Sequence, residues 1–233
     1  MPLRHNDMRM RRRRAKKKLA VPLNGNGRAL IFDFDGTIAD TLSSVIRIVN
    51  EHAAEYRIAP LTHADVEKLR GMTNRDIVRM YKIPYSRIPS LVRRWQRELH
   101  RRIEDVRVIP GVKDLVLSLK RAGLHLGILT SNSRENVRSF LRARGLDVFD
   151  FIHSESNLFG KKRALGHIMK ERGLKRRDVL YIGDEVRDVE ACRKARVPVI
   201  AVSWGFHRRE LLKKFDPDFL VDKPAEIAEI VLS

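Results

Sequence analysis

Asp33 and Asp35 stand two residues apart at the end of a short apolar run, Ala29-Leu30-Ile31-Phe32, and are followed by Gly36-Thr37. On an extended strand such a pair projects to one side. Two carboxylates held close do not both ionise unless a cation or a base compensates. A third acid, Asp184, follows Gly183 at the end of another apolar run, with Asp188 four residues on. Converging carboxylates from Asp33, Asp35 and Asp184 suit Mg²⁺, which takes oxygen ligands and leaves room for water and substrate phosphate. Thr130 and Ser131 close a third run, and Lys161 follows Gly160. A hydroxyl, nearby backbone amides and an ammonium are donors for phosphoryl oxygens. Acids for a metal, with a lysine and a hydroxyl for phosphate, form a set suited to phosphoryl transfer.

These groups need elements to bring them together. Residues 29–35, 124–129, 179–182, 197–202 and 219–221 read as strands, and the continuous apolar character of the longer runs suits strands buried on both faces of a parallel sheet. Helical patterns lie between them at roughly 111–122, 134–144, 161–172, 186–195 and 224–231. Strand and helix in alternation predict an open α/β sheet with right-handed crossovers. In such a sheet ligands gather at the carboxyl ends of the strands, where each polar cluster falls. The stretch from 41 to 108 breaks the alternation. It reads as helices only, with breaks at Pro60, Gly71 and Ile83-Pro84, and with Leu91, Trp95 and Leu99 as an apolar stripe at spacing four. The expected fold class is therefore α/β: a Rossmann-like parallel sheet core formed by 23–40 and 109–233, with an inserted helical unit at 41–108.

Four ordered motifs resemble those of the haloacid dehalogenase-like hydrolase superfamily. They are Asp33-Phe34-Asp35-Gly36-Thr37, then Thr130 in Ile128-Leu129-Thr130-Ser131-Asn132, then Lys161 in Phe159-Gly160-Lys161-Lys162, and last Gly183-Asp184-Glu185-Val186-Arg187-Asp188. The resemblance covers about residues 28–231 and is greatest to the phosphoglycolate-phosphatase-like branch, whose helical cap is inserted just after the first motif, as 41–108 is here. It implies a phosphomonoester hydrolase with Asp33 as nucleophile, forming an aspartyl-phosphate, and Asp35 as acid and then base. It implies Mg²⁺ held by Asp33, the backbone carbonyl of Asp35 and Asp184, with Asp188 orienting the metal shell. Thr130, Ser131 and Lys161 would hold the phosphoryl group of a small phosphorylated metabolite. Family dehalogenases lack the second acid, so Asp35 favours phosphate over haloacid substrates. A phosphomutase-type relative stays open on these motifs. The Gly-Lys order favours Lys161 over Lys162, which stands where many relatives have proline. Glu185, where Ser or Thr is common, reads as a helix-start acid in preference to a metal ligand.

Charge is the other strong signal. The 233 residues carry 48 Lys and Arg against 29 Asp and Glu, a net charge of +19. Residues 1–20 account for +8 of it and the remainder for +11. A run such as Arg11–Arg14 repels itself and has no apolar face to bury. Residues 1–22 are accordingly expected to be a basic, disordered tail, a solvated arm in preference to a binding one, with weak polyanion binding as its functional reading. A nucleic-acid-associated phosphatase acting on polynucleotide ends is the alternative this charge supports. No run of roughly 18 apolar residues is present, so no membrane partner is expected. One cysteine, Cys192, excludes an intrachain disulfide and suits a reducing, cytoplasmic setting. The eight histidines show no metal spacing and read as structural or exposed. Trp95 and Trp204 read as packing residues. Arg70-Gly71-Met72-Thr73-Asn74-Arg75 reads equally as a loop facing the site or as a helix start capped at Thr73 or Asn74. A monomer or a dimer would satisfy the pattern.

Overall fold

The structure, a computed structural model, describes residues 29–56, 58–103, 105–155 and 160–232. The expected basic tail at 1–22 lies outside the described residues.

Six parallel strands form one sheet in the order β3-β2-β1-β4-β5-β6. They are β1 (Ala29–Phe32), β2 (His125–Thr130), β3 (Phe151–Ser154), β4 (Val179–Gly183), β5 (Val199–Val202) and β6 (Phe219–Val221). Alternation sorts their side chains into two cores. Leu30, Phe32, Leu126, Ile128, Leu180, Ile182, Ile200 and Val202 face one side, and Ala29, Ile31, Leu129, Val179, Tyr181, Val199 and Ala201 face the other. Helices α6 (Val112–Arg121), α7 (Arg134–Ala143) and α11 (Pro224–Leu232) cover the first face. The second is covered by α8 (Lys161–Glu171), α9 (Val186–Ala195) and α10 (Arg209–Lys214). Both faces of the central strands are thus dry, which is why those strands read as unbroken apolar runs.

Sequence reading missed β3 and α10. β3 is an edge strand in which Phe151 and His153 are half-exposed, so it lacks the apolar run that marks the central strands. The α10 stretch has only Leu211 and Leu212 buried, too few for a helical period to emerge. Between β1 and α6 the described residues form helices and no strand of the sheet: α1 (Leu42–Glu51), α2 (Ala53–Tyr56), α3 (His63–Arg70), α4 (Asn74–Met80) and α5 (Ile88–Arg101), with a 3₁₀ turn at Tyr85–Arg87. Thr62 caps α3 and Thr73 caps α4, each in a reciprocal capping box with the aspartate three residues on. No helix among the described residues is long and apolar enough to cross a membrane.

Candidate active site

β1 lies between β2 and β4, and the chain turns sharply where β1 ends. Asp33 N–H donates to the Ile182 carbonyl at 2.8 Å, which carries the pairing with β4 one residue beyond the strand. The Phe34 carbonyl then accepts from the amides of Ile38 and Ala39 at 2.9 and 3.0 Å. Gly36 sits in this loop at φ +74°, a conformation that favours glycine. The Asp33–Asp35 pair therefore meets in a turn and not by alternation along a strand. Both carboxylates are buried, and they face different partners.

Asp33 faces Lys161. The ammonium donates to Asp33 Oδ2 and to Asp188 Oδ1, each at 2.5 Å, and lies 5.5 Å from the Tyr181 ring centre. Lys161 is the first residue of α8, where the helix dipole disfavours a cation. The two buried acids are what hold it there. Burial opposes its charge, yet Asp188 and Asp33 outweigh burial and keep its pKa above the ordinary lysine value. Lys162 is exposed, so it is Lys161 that reaches the acids. Asp33 is raised to about 6 by burial, against the pull of Lys161 and with the push of Asp188.

Asp35 faces the other way. Asn132 Nδ2 donates to its Oδ1 at 3.1 Å, and Thr130 Oγ1 approaches its Oδ2 at 3.5 Å. Burial and the charge of Asp33 raise its carboxyl to about 7. Thr130 ends β2 and its hydroxyl accepts from Asn132 N–H at 2.9 Å. The cap of α7 is Ser133, whose hydroxyl accepts from Asn136 N–H, so Thr130 is not a helix cap. Ser131 is buried between them and its carbonyl accepts from Gln96 Nε2 at 2.5 Å.

Asp184, just beyond β4, is fully buried. Thr37 Oγ1 donates to its Oδ1 and Phe206 N–H to its Oδ2, both at 2.7 Å. A Cβ at Gly36 or at Gly205 would overlap this carboxylate, so two glycines form the slot that holds it. Burial, with Glu185 and Asp33 nearby, raises its pKa well above the usual range. Asp188 is fixed through Oδ2, which accepts from Glu185 N–H at 3.0 Å.

Oxygen atoms of Asp33, Asp184 and Asp188 lie within 4.8 Å of one another. Octahedral Mg²⁺ has oxygen ligands at ~2.1 Å, which places neighbouring oxygens about 3 Å apart and opposite ones about 4 Å apart. The carboxylates are close enough for that shell, and all are hard donors. The raised pKa values of Asp33 and Asp184 are those of a buried acidic group short of positive charge. The residues fit a divalent cation.

Further residues complete the site. Glu185 caps α9 and is buried, as a helix-start acid. Its carboxylate also accepts from Asn74 Nδ2 of α4 at 2.6 Å and pairs with Arg187. Burial opposes the charge on Glu185, but Arg187, His207 and Lys161 outweigh it and hold the carboxyl down to about 2. His207 is buried, and its Nδ1 accepts from Val186 N–H at 2.9 Å. Both readings of the Arg70–Arg75 stretch hold: Thr73 caps α4, and Asn74 reaches the site. Arg75 Nη2 lies 3.9 Å from Glu190. Asn132 was visible as the residue two beyond Thr130. Gln96 and His207 come from distant segments and nothing local marked them, while Asn136 stands four residues beyond Asn132 in the first turn of α7. Trp204 packs on the core and also donates its indole N–H to the Thr37 carbonyl at 3.3 Å.

The family model of the haloacid dehalogenase-like hydrolases matches residues 30–202. A phosphoglycolate phosphatase of Synechococcus elongatus is 38% identical over 204 residues, covering 87% of this chain and 96% of that protein. A pyrophosphatase PpaX of Bacillus cereus is 26% identical, with coverage of 87% and 95%. Among solved structures, a predicted phosphatase from Clostridium acetobutylicum superposes with a TM-score of 0.75 at 22% identity, covering 89% of this chain and 99% of that one, a likeness of fold. With its four motifs set around one strand end, the chain belongs to the haloacid dehalogenase-like hydrolases and stands with the phosphoglycolate-phosphatase-like enzymes among them.

Proposed function

We propose that the chain hydrolyses a small phosphomonoester through an aspartyl-phosphate on Asp33, with Asp35 as acid and base and Mg²⁺ as cofactor. The observation that carries this reading is the division of labour inside one turn. Asp33 is tied to a buried lysine, while Asp35 is tied to neutral donors and keeps its proton to about pH 7. Two carboxylates in unlike surroundings are suited to unlike roles.

An oxygen of Asp33 attacks phosphorus as the bond to the leaving oxygen breaks, and Asp35 gives its proton to that oxygen. Asp35, now a carboxylate, takes a proton from water whose oxygen attacks the same phosphorus. The Asp33–phosphorus bond breaks, phosphate departs, and both acids return to their starting states. Lys161, the Thr130 hydroxyl and the backbone amides around Ser131 hold the phosphoryl oxygens while charge moves. Asp33, the Asp35 carbonyl and Asp184, with Asp188 beside them, would hold Mg²⁺, which would supply positive charge to offset the nucleophile and the phosphoryl oxygens.

The helical segment 41–108 acts in this reading as a cap that excludes water and selects substrate. Asn74, Arg70 and Gln96 of that segment bond to Glu185, the Gly205 carbonyl and the Ser131 carbonyl. A cavity of about 60 Å³ beside the site, lined by Arg75, Lys161, Lys162 and Arg187 among others, suits a small anion. The names of the relatives, phosphoglycolate phosphatase and pyrophosphatase, point to substrates of that kind. Hydrolysis of 4-nitrophenyl phosphate in Mg²⁺ buffer tests the reading. EDTA is expected to abolish turnover, and Asp33→Asn to lower it by at least about 10³-fold. Normal turnover in that variant would refute the mechanism. A panel of phosphorylated metabolites then identifies the substrate.

A further inference from the structure

A line of buried amides connects Asp35 to the surface of the helical segment. Asn132 is fully buried and Asn136 nearly so. Both N–H bonds of the Asn136 amide are spent, one on the Gln96 carbonyl at 2.9 Å and one on Asn132 Oδ1 at 3.0 Å. Its oxygen therefore accepts, and the group it faces at 2.6 Å is His100 Nδ1, which must carry the hydrogen. Asn132 in turn spends its amide on Asp35 Oδ1. Every donation runs in one sense: His100 to Asn136, Asn136 to Asn132, Asn132 to Asp35. Aligned bonds in a low-dielectric interior polarise one another, so the last donor is strengthened by the first.

The two ends of this line differ. Asp35 and the amides sit on the sheet core, whereas His100 is an exposed residue near the end of α5, in the segment inserted between β1 and α6.

We propose that His100 is a positioning residue for Asp35, acting through Asn136 and Asn132 to fix Oδ1 and so aim Oδ2 at the leaving oxygen. The inference rests on the reading of Asp35 as the acid of the first step. It makes seating of the last turn of α5 on α7 a condition for proton transfer. With α5 lifted, Asn136 loses its donor and Asp35 keeps only a floppier partner.

A misaimed acid hurts substrates that need a proton more than those that do not. The test therefore compares kcat/KM on phenyl phosphate, whose leaving group is a strong base, with 4-nitrophenyl phosphate, whose leaving group departs unprotonated. His100→Ala is expected to lower kcat/KM on phenyl phosphate about tenfold and on 4-nitrophenyl phosphate less than threefold, a fraction of the full worth of a general acid. His100→Asn places an amide N–H where Nδ1 stood and is expected to restore phenyl phosphate to within about twofold. Asn136→Asp keeps the acceptor for His100 and removes the donor to Asn132, so it is expected to reproduce the leaving-group-selective loss. Equal losses on both substrates, wild-type kinetics in His100→Ala, or no rescue by asparagine would each overturn the relay. Asp35→Asn separates the two ideas. If it hydrolyses phenyl phosphate normally, the role of Asp35 is what fails; if it is inactive while His100→Ala is unaffected, the relay alone fails.

Discussion

The sheet core and the helical segment are held by different forces. One helix of the core, α6, buries Val112, Leu115, Val116 and Leu119. Across the whole of 42–101, the buried apolar residues among those described are Ile48, Ala53, Val66 and Leu99. In place of burial the segment has local hydrogen bonds and ion pairs. Two capping boxes start α3 and α4, and Arg102–Glu51, Arg94–Glu55 and Arg70–Glu67 tie its surface together. Its polar joints to the core include Asn74–Glu185, Arg70 and Arg208 across the Gly205 loop, Gln96–Ser131 and His100–Asn136. A typical hydrogen bond is worth a net ~1 kcal/mol, and a buried large side chain is worth ~2 kcal/mol or more. The core is therefore held by packing throughout, while beyond the contact that Leu99 and Trp95 of α5 make with it the seating of the helical segment is a sum of small polar terms. That is the balance a cap needs if it is to open and close over a fixed site.

The largest expected effect comes from breaking the core at its charged centre. Lys161→Met leaves Asp33 and Asp188 buried without the ammonium between them. Stripping one partner from a buried ion pair costs roughly 3–5 kcal/mol, which urea unfolding would read directly. Phosphatase turnover is expected to fall by at least about 10²-fold from the loss of phosphoryl stabilisation alone. A variant that melts and turns over like the wild type would mean that Lys161 does not hold the site together.

How much of this was legible in the sequence follows the same division. Asp33, Thr130 and Asp184 stand at or just beyond the ends of packed strands, so hydrophobic runs located them, whereas Lys161, at the start of α8, was placed by the Gly-Lys order of the family resemblance. β1, β2, β4 and α9 were readable because both faces of the central sheet are dry. β3 was not, since an edge strand with Phe151 and His153 half-exposed carries no apolar run. The Asp33–Asp35 pair was found for a partly wrong reason, because the strand ends at Phe32 and a tight turn does the gathering. Gln96, His100 and His207 were invisible as partners, and Asn74 was legible only as part of the Arg70–Arg75 stretch. Each meets the site across a contact between segments far apart in sequence, and a single polar residue on a polar face has no period to betray it.

The boundary between the two regimes runs along helix α5. Leu99, near its end, is fully buried in the core cluster, and Trp95 packs against that cluster. Leu91, two turns earlier on the same stripe, is half-exposed. Leu99→Ala is expected to cost about 3 kcal/mol, as in a packed core, and Leu91→Ala about 1 kcal/mol. Equal costs would mean that the helical segment is as tightly packed as the sheet and would weaken its reading as a cap.

The smallest effects come from ion pairs, and they too should divide by region. Asp150 joins two core elements: Lys120 Nζ of α6 donates to its Oδ1 at 2.6 Å, and Leu126 N–H of β2 to its Oδ2 at 2.8 Å. Burial pushes its carboxyl up, but Lys120, Leu126 N–H and His125 together outweigh burial and lower it below the ordinary 3.8. A folded-state pKa below the unfolded one gives stability that is present above pH ~4 and is lost as pH falls through the folded value. Asp150→Asn should therefore cost up to about 1 kcal/mol near neutral pH, and its gap to the wild type should close as pH drops from about 5 towards 3. Glu51, paired with Arg102 on the helical segment, lies in water. Glu51→Gln is expected to shift the melting temperature less than Asp150→Asn does, and salt near 0.5 M should erase most of the shift, since screening acts on exposed pairs first. If Glu51→Gln proved the more damaging of the two, the helical segment would depend on its surface charges more heavily than its few joints to the core imply.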